Sequence, residues 1–519
     1  MPIRLRLTAL LLTISLESCG SVERDETAGM TQPSPRSAAD TAAVVIDVRT
    51  AYQRVDGFGG TLLSLVYPTG DYLGEFRPAA LAAAFQSVGI TRGSLNIGLV
   101  ETRSRTNDVG VSRGNDNADP QVMDVTGFNF LNLDILQDKV LAPGAALGFT
   151  STELGPLLDY RFPQEWLRAL RSTNFELYLD EAAENVVAVL QNWRTKRGAY
   201  PALVHLFNEP TSGNVELYTR STQEVVDLVR RVGTRMRASG ITNTRFIVPN
   251  EETMARSFEV ASAILADPVA RQFVGAIGFH QYPYGSVSAS PRRMLETSGR
   301  GLPDATTRAE LNALRDLGAR YGVPLWMTEV SEGPGNADFP YGAMEHVLAR
   351  VVHIHDAFEY GGVSAYFGMN TFWDSRTQSE HIPGQNPPFW FDQSAIVLID
   401  QAQKLVKITG VGYAIGHYAR WLDSTAVRLE STSSAPRVLV TAFRDERRQR
   451  VVTVIANADT RPQLLRLRLI GAMPAGGTTG EASRDTVRWG PIDPVTIRDG
   501  VTEYLAPPRS VVTLAIPLR

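Results

Sequence analysis

One stretch predicts how this chain folds: Leu203-Val204-His205-Leu206-Phe207-Asn208-Glu209-Pro210. Its apolar residues indicate a buried β-strand that closes on Glu209, and the following proline restricts Glu209 to an extended or turn conformation. A second stretch, Leu325-Trp326-Met327-Thr328-Glu329, has the same form, a short apolar run that ends in a glutamate. The two stretches predict two buried strands of one domain, each with a carboxylate at its end.

Strands and helices alternate on both sides of these stretches. Strands separated by helices indicate an α/β protein with a parallel sheet. About eight such units between residues 56 and 409 fit a (β/α)8 TIM barrel better than a doubly wound sheet. The third strand is expected to run through residues 147–151, inside the loop-rich segment 107–160. Further elements are predicted as strands at 94–99, 245–248, 276–280 and 363–368, and as helices at 175–193, 215–238 and 342–360.

A barrel would bring the two glutamates together. In (β/α)8 enzymes the functional groups lie at the C-terminal ends of the strands, where the loops converge. Glu209 would end strand four and Glu329 strand seven, on opposite sides of one cavity. A carboxyl pair of this kind suits glycoside hydrolysis, with one group as proton donor and the other as nucleophile.

The C-terminal part of the chain has a different pattern. From about residue 410 to residue 519, short β-rich runs alternate with Gly, Pro, Asp and Ser turns, which predicts a compact all-β module. A further β-branched run near the start of the chain, Ala43-Val44-Val45-Ile46-Asp47-Val48, predicts a strand within residues 43–55.

The N-terminus has the form of an export signal. Residues 1–18 combine basic residues with an apolar stretch that is too short to span a bilayer as a stable helix. Leu16-Glu17-Ser18-Cys19 resembles the cleavage box of bacterial lipoproteins, although Glu17 departs from it, and Cys19 is the only cysteine of the chain. We expect Cys19 to be a lipidated N-terminus, followed by a flexible tether to residue 42. The alternative is a plain signal peptide with a stray thiol, so the protein is either lipid-anchored in the cell envelope or secreted.

Composition excludes several other classes of protein. The chain has 51 basic and 55 acidic residues without long runs of either, which gives no electrostatic footprint for a nucleic-acid partner. Gly57, Gly59 and Gly60 lack the dinucleotide spacing, so no cofactor is predicted. His353 and His355 are two residues apart in a predicted helix and point to different faces, which argues against a shared metal. Asp180, Glu181 and Glu184 are expected on a solvated helix face.

Four motifs together resemble glycoside hydrolase family 30. The resemblance covers roughly residues 45 to 519, and it is specific for the wider clan A of retaining glycosidases. It implies that a C-terminal β-sandwich side domain, entered through residues 413–421, is completed by the N-terminal strand. It also implies that Glu209 is the general acid/base and Glu329 the nucleophile. The motifs are Val55-Asp56-Gly57-Phe58-Gly59-Gly60, His205-Leu206-Phe207-Asn208-Glu209-Pro210, Phe279-His280-Gln281-Tyr282-Pro283 and Trp326-Met327-Thr328-Glu329.

The same resemblance implies a set of substrate-binding residues. Tyr282 matches an aromatic residue that hydrogen-bonds the nucleophile, and His280 lies on the same strand face; the alternative is that both are structural. Trp373 matches an aromatic platform for a sugar ring, or is ordinary core. Asn208 suits a sugar hydroxyl, and Asp56 either a sugar or a structural hydrogen bond.

One position departs from the family pattern. Relatives commonly carry an arginine on strand two where this chain has Ser94. Arg92 would face the same side of that strand and either replaces the missing arginine or begins the strand in solvent.

The resulting hypothesis is a retaining O-glycosyl hydrolase that cleaves β-glycosidic bonds in an extracytoplasmic glycan. Retention predicts carboxyl groups about 5 to 5.5 Å apart, whereas more than about 6.5 Å would indicate inversion. A catalytically impaired glycan-binding lipoprotein and a transglycosidase remain as alternatives. The substrate would be determined by loops 107–160, 286–304 and 374–392. The resemblance allows β-glucans, xylans, β-galactans and glucosylceramide-like conjugates, and the loop sequences favour none of these. Oligomeric state is not predicted.

Overall fold

The computed structural model describes residues 40–62, 73–94, 115–150, 153–158, 165–212, 219–281, 305–330, 342–374 and 395–519. The helices in these ranges are α1 (Arg77–Leu81), α2 (Leu131–Leu136), α3 (Ala142–Ala145), α4 (Glu165–Thr173), α5 (Phe175–Arg197), α6 (Thr222–Ala238), α7 (Met254–Ala266), α8 (Ala305–Tyr321), α9 (Met344–Glu359) and α10 (Gly410–Ala419).

The barrel strands are β2 (Gly57–Thr61), β3 (Arg92–Ser94), β4 (Leu203–His205), β5 (Arg245–Glu251), β6 (Val274–His280), β7 (Leu325–Glu329) and β8 (Val363–Gly368). A small sheet consists of β9 (Phe372–Asp374), β10 (Val397–Asp400) and β11 (Leu405–Ile408). The side sheet contains β1 (Asp40–Arg54), β12 (Val427–Ser433), β13 (Val438–Asp445), β14 (Arg450–Asn457), β15 (Gln463–Ile470), β16 (Thr479–Arg484), β17 (Val487–Pro491), β18 (Thr496–Arg498), β19 (Val501–Ala506) and β20 (Ser510–Pro517).

The barrel is a parallel sheet in the order β3-β2-β8-β7-β6-β5-β4. All of its strand pairs are parallel, as helical crossovers require. Its interior is filled by side chains from alternate strand positions, a small cluster of Ile247, Ala276, Trp326, Ala365 and Phe367. The barrel is therefore a packed core, and its polar groups gather at the C-terminal strand ends.

The third strand position lies later in the chain than predicted. Residues 142–145 form α3 and a turn follows, so residues 147–150 are not a strand. Leu154 instead pairs in parallel with Val204 of β4. Towards β3, Ser94 Oγ donates to the Gly155 carbonyl at 3.0 Å and Arg92 forms an ion pair with Glu153. These contacts occupy the place between β3 and β4.

The crossover helices begin at side-chain caps. Asn174 Oδ1 accepts a hydrogen bond from Leu177 N before α5, and Ser221 Oγ accepts one from Glu224 N before α6. Thr253 Oγ1 does the same for Arg256 N before α7. Caps of this kind satisfy amide groups that the helix leaves unpaired, which explains why these three helices begin where they do.

Helix α5 differs from prediction in its acidic residues. Glu181 and Glu184 are fully buried, and only Asp180 of the predicted solvated face is partly exposed. The segment 115–127 lies over this part of α5, and Asn115 Nδ2 donates to Glu181 Oε1 at 2.9 Å. Burial raises the pKa of Glu181. A helical pattern alone cannot show that a distant loop covers a polar face.

The side domain is one hydrogen-bonded sheet in the order β17-β16-β20-β14-β13-β12-β1-β15-β19-β18. Side chains from both halves of this sheet share a single apolar core, so the sheet folds into two layers. Strand β1 lies near its centre, antiparallel to β12 and parallel to β15. The expected α/β fold class, a TIM barrel with a β-sandwich completed by an N-terminal strand, is confirmed.

Helices α9 and α10 pack against the side sheet, and we call this contact the seam. His355 Nδ1 lies 2.9 Å from Thr441 Oγ1 of β13, whereas His353 Nδ1 lies 2.8 Å from Tyr366 Oη of β8. The two histidines thus face different neighbours, as predicted. His417 of α10 contacts Thr513 of β20 and Ser483 of β16.

Within the described ranges, no helix has the length and apolar character needed to cross a membrane.

Candidate active site

The C-terminal ends of the barrel strands bring Glu209 and Glu329 together. Glu209 follows β4 and Glu329 is the last residue of β7. The side chain of Glu209 is 2% exposed and that of Glu329 is 12% exposed, so the nucleophile candidate is the more accessible of the two. A carboxylate oxygen of each lies within 4.8 Å of the other. The two groups that the sequence singled out therefore form one site.

His280, at the end of β6, lies between the two carboxyl groups. Its Nδ1 is 2.9 Å from Glu209 Oε1, which is hydrogen-bonding distance, and 4.0 Å from Glu329 Oε1. The other oxygen of Glu209, Oε2, is buried and has no hydrogen-bond partner among the described residues. Glu209 is thus held through one oxygen, while the second makes no hydrogen bond within the described ranges.

The backbone at Glu209 is a strained turn. Its φ is 50°, in the left-handed region that residues other than glycine avoid. Holding such a residue there costs on the order of 1 to 3 kcal/mol. Glu209 N donates to Asn250 O at 2.8 Å, and Ser212 N donates to Glu209 O at 3.1 Å. Of the two conformations that Pro210 allowed, the turn is the one found.

Asn250 links the ends of three barrel strands. Its Nδ2 donates to Phe207 O at 3.2 Å and to Ile247 O at 3.0 Å, and its Oδ1 accepts from Thr328 Oγ1 at 2.8 Å. Its own backbone is also left-handed, with a φ of 59°. Asn250 therefore fixes the residue before Glu329 and the strand end before Glu209 together.

Gly278 of β6 makes room for this side chain. A Cβ at position 278 would lie 2.0 Å from Asn250 Oδ1, much closer than atoms can approach. Only glycine at this position allows Asn250 to reach Thr328, so two residues distant in sequence specify one contact.

Glu251 is a third carboxyl group behind the site. It is fully buried, and its Oε1 accepts from Thr211 N at 3.1 Å. Burial raises the pKa of Glu251 to about 7, against smaller opposing effects from Thr211 and from the positive charge of His280. Glu251 holds the chain two residues after Glu209.

Burial and charge set the protonation of the central pair. Burial raises the pKa of Glu209, and the negative charges of Glu329 and Glu252 add to the effect. Burial alone would lower the pKa of His280, but the neighbouring carboxylates outweigh it and the pKa is raised. The Glu209–His280 pair therefore keeps its protons to higher pH than the same groups would in water.

Asp56 directly precedes β2, and Arg92 is the first residue of β3. Trp326 Nε1 donates to Asp56 Oδ2 at 2.8 Å, and Arg92 Nε donates to Asp56 O at 3.0 Å. The guanidinium of Arg92 also lies 5.6 Å from the centroid of the Trp326 ring. Asp56 thus makes the structural hydrogen bond of its two predicted roles, and a sugar contact by it stays a prediction. Arg92 is half-buried and paired with Glu153, so it does not begin its strand in solvent.

The remaining predicted residues are less central or outside the described ranges. Asn208 is half-buried directly before Glu209, and Trp373 is half-buried in β9, beyond the end of β8. Tyr282 and Cys19 lie outside the described residues, as do loops 286–304 and 375–392. The roles of these four residues stay predictions.

Sequence reasoning missed Asn250, Glu251 and Glu153. The signal for the first two was present, because polar residues at the end of a barrel strand mark the functional edge. Strand five was predicted to end at Val248, before Pro249, but β5 continues to Glu251. Glu153 gave no comparable signal, since its strand was misplaced.

The site geometry also meets the spacing that a cation needs. Glu209, His280 and Glu329 each offer one ligand atom within 4.8 Å of the others, and so do Asp116, Glu181 and Glu184. In the first group Glu209 and His280 are already hydrogen-bonded to each other. In the second, Asp116 already accepts hydrogen bonds from Asn117 N and Asp124 N. Existing hydrogen bonds account for both arrangements, and we assign no metal to either.

Comparison with known proteins gives a match at the level of structure. No protein-family model and no curated protein matches the chain. A GH30 endoxylanase from Clostridium papyrosolvens C71 has a TM-score of 0.61 at 14% sequence identity, covering 92% of this chain and 100% of that chain. The catalytic domain of GH30 xylanase C from Talaromyces cellulolyticus gives 0.62 at 14% identity, with coverages of 91% and 99%.

This chain has the fold of the GH30 glycoside hydrolases. An endo-β1,6-glucanase is also similar, with a TM-score of 0.59 at 16% identity and coverages of 94% and 97%. In each case the likeness spans nearly the whole of both chains, so it includes the barrel and the side domain. The similarity confirms that this chain has the fold that the four motifs implied.

Proposed function

We propose that this protein is a retaining O-glycosyl hydrolase that cleaves β-glycosidic bonds in a glycan. The observation that carries the proposal is the pair Glu209 and Glu329, which reach one site from the ends of β4 and β7 with oxygens within 4.8 Å of each other. The GH30 fold agrees with this activity.

The separation of the carboxyl groups supports retention. Retaining enzymes hold their two carboxyl groups about 5 to 5.5 Å apart, whereas inverting enzymes need about 6.5 to 9.5 Å to admit a water molecule between them. One oxygen of each group lies within 4.8 Å of the other, which is closer to the retaining spacing than to the inverting one. Direct attack by one carboxylate on the sugar is the chemistry that fits this spacing.

The environments of the two groups support different roles. Glu209 is buried and its pKa is raised, so it keeps the proton that a leaving oxygen must receive. Its unpartnered Oε2 is the oxygen that would donate this proton. Glu329 is more exposed and would attack the anomeric carbon as a carboxylate, and Glu209 would then activate water to release the sugar.

The substrate class and location remain part of the proposal. The similar structures include xylanases and an endo-β1,6-glucanase, which makes plant and microbial β-glycans the first substrates to test. The export signal and Cys19 support a lipid-anchored protein of the cell envelope, with secretion as the alternative.

The decisive experiment measures sugar release by the full-length chain and its Glu329→Ala variant on aryl β-glycosides and β-glycans. Release should disappear in the variant, because the covalent intermediate cannot form. A Glu446→Gln variant, changed at an exposed glutamate that follows β13, is the control and should match the wild type. Wild-type rates in a folded Glu329→Ala variant would reject the nucleophile assignment. If the folded wild type releases no sugar from any substrate of the panel, a glycan-binding lipoprotein would be favoured.

The acid/base role is tested with leaving groups of different acidity. Glu209→Ala should retain the first step on activated aryl glycosides, which need little protonation, and lose it on unactivated glycans. Equal loss on both would contradict the role. Product NMR at early times then tests retention, since a β-anomer is expected first and an α-anomer would indicate inversion.

Lipidation is tested separately by metabolic labelling with a radioactive fatty acid. Label should appear in the protein and be absent from a Cys19→Ala variant. An unlabelled wild-type protein in the culture medium would support the secreted alternative.

A further inference from the structure

We propose that Glu251 is a positioning residue for Glu209: it anchors the turn that carries Glu209 and places an ionisable carboxyl group behind the Glu209–His280 pair, so that its charge sets the pH range in which Glu209 stays protonated. The inference rests on the proposed function, because Glu209 is taken as the acid/base.

The first part of the argument is mechanical. Glu209 lies in a left-handed turn, and such a turn persists only where its surroundings hold it. On one side Glu209 N donates to Asn250 O at 2.8 Å. On the other side Thr211 N donates to Glu251 Oε1 at 3.1 Å, with Oε2 at 3.4 Å. Adjacent residues of β5 thus hold the turn on both sides of Glu209.

The second part is electrostatic. Glu251 is fully buried, so its charge is poorly screened and acts on Glu209 and His280. Burial raises the pKa of Glu251 to about 7, which places its ionisation in the neutral range. Each time Glu251 ionises, a proton is held more firmly on Glu209 and on His280.

The groups that face this region come from several elements. Its carboxyl groups come from the segment after β4, from the end of β5 and the residue after it, and from the end of β7, and the cation Arg256 of α7 reaches Thr211 O at 3.5 Å. His205, whose pKa burial lowers to about 3, stays neutral and adds no charge near neutral pH. The charged or titratable groups besides Glu251 are Glu209, Glu252, Glu329, His280, His205 and Arg256.

A pair of variants separates the two parts. Glu251→Gln keeps an oxygen that accepts the Thr211 N–H but removes the charge, whereas Glu251→Ala removes both. Glu446→Gln is the matched control, since it neutralises an exposed glutamate that follows β13 of the side sheet.

The first readout is the pH profile of kcat/KM on an aryl β-glycoside that the wild type hydrolyses. In Glu251→Gln the alkaline limb should move to lower pH, on the order of 1 pH unit, because Glu209 loses the charge that holds its proton. In Glu251→Ala kcat/KM on unactivated substrates should also fall about 10-fold while kcat/KM on activated substrates is spared, because the first step needs an accurately placed proton donor only when the leaving group is poor.

The second readout needs no turnover. Histidine labelled with ¹⁵N reports the titration of His280, assigned by comparison with His280→Gln. Its midpoint should fall in Glu251→Gln and stay unchanged in Glu446→Gln. If the wild type is inactive but the His280 midpoint still falls in Glu251→Gln, the proposed function is rejected while the electrostatic effect of Glu251 on His280 is supported. A titration and an alkaline limb that both stay at their wild-type positions in Glu251→Gln would overturn the inference.

Discussion

His280 in the barrel and His417 at the seam are equally buried, and their neighbours give them opposite properties. His417 is within hydrogen-bonding distance of two hydroxyl groups, Thr513 Oγ1 at 2.9 Å and Ser483 Oγ at 2.8 Å, and burial, together with the positive charges of Arg420 and Arg488, lowers its pKa to about 3. His280 lies among carboxylates, and its pKa is raised despite the same burial. Burial alone favours neutral imidazole, so the positive charge in the active centre is produced by the acidic side chains around it.

The largest expected effect comes from substituting Gly278 with alanine. The new Cβ would displace Asn250, which holds the ends of β4 and β7, and kcat/KM should fall about 100-fold. The seam offers a matched control in Gly416, where a Cβ would lie 2.1 Å from Trp489 Cζ2. Gly416→Ala should lower the free energy of unfolding by about 1 to 3 kcal/mol while the folded protein keeps its kcat/KM. Equal loss of kcat/KM in both variants would erase the distinction between the two regions.

The pH dependence of the free energy of unfolding distinguishes the two histidines. His417 has a folded pKa below its unfolded value of 6.5, so its contribution is complete above that pH and is lost as the pH falls towards about 3. His417→Gln should therefore make the free energy of unfolding, measured by urea denaturation, less dependent on pH, by up to about 1.4 kcal/mol per pH unit in this window. A pH dependence identical to that of the wild type would contradict the neutral state of His417.

His280→Gln should change the pH dependence of the free energy of unfolding in the opposite direction. The raised pKa of His280 means that its stabilising contribution is present below the unfolded pKa and is lost as the pH rises through the folded one. The variant should lose stability relative to the wild type at acidic pH and approach it at alkaline pH. A uniform loss at every pH would indicate that His280 is neutral in the folded protein.

A smaller effect is expected from the buried ion pair of the barrel. Glu153 is 2% exposed and Arg92 25% exposed, so Glu153→Gln leaves a partly buried guanidinium with a weaker partner. The free energy of unfolding should fall by about 1 to 3 kcal/mol, measured by urea denaturation. No change would mean that Asp56 O and Trp326 satisfy Arg92 without Glu153.

The smallest effect is expected on the outer surface of the side sheet. Arg466 Nε and Glu503 Oε1 are 3.0 Å apart, and the arginine is 54% exposed. Glu503→Gln should change the free energy of unfolding by less than about 1 kcal/mol, because solvent screens such pairs. A loss as large as that of Glu153→Gln would show that burial does not separate the two pairs.

Sequence patterns predicted the parts of the molecule that depend on local order. The alternation of strands and helices gave the barrel, and the strand-end rule found Glu209 and Glu329 because both directly close an apolar run. The same rule missed Glu251 because strand five was predicted to end at Val248, whereas β5 continues to Glu251. The buried state of Glu181 could not be predicted, because it depends on a segment that is distant in sequence.

Strand β1 sets an order of events during synthesis. The ribosome makes this strand first, but its partners β12 and β15 follow only after the whole barrel, as in the pairing of Val44 with Ser433 and with Leu467. Until then an apolar strand with unpaired edges is exposed to other chains, which is a hazard for aggregation. We therefore expect chains that stop before β15 to leave β1 without one of its neighbours, and to become targets of chaperones and proteases even when the barrel is complete.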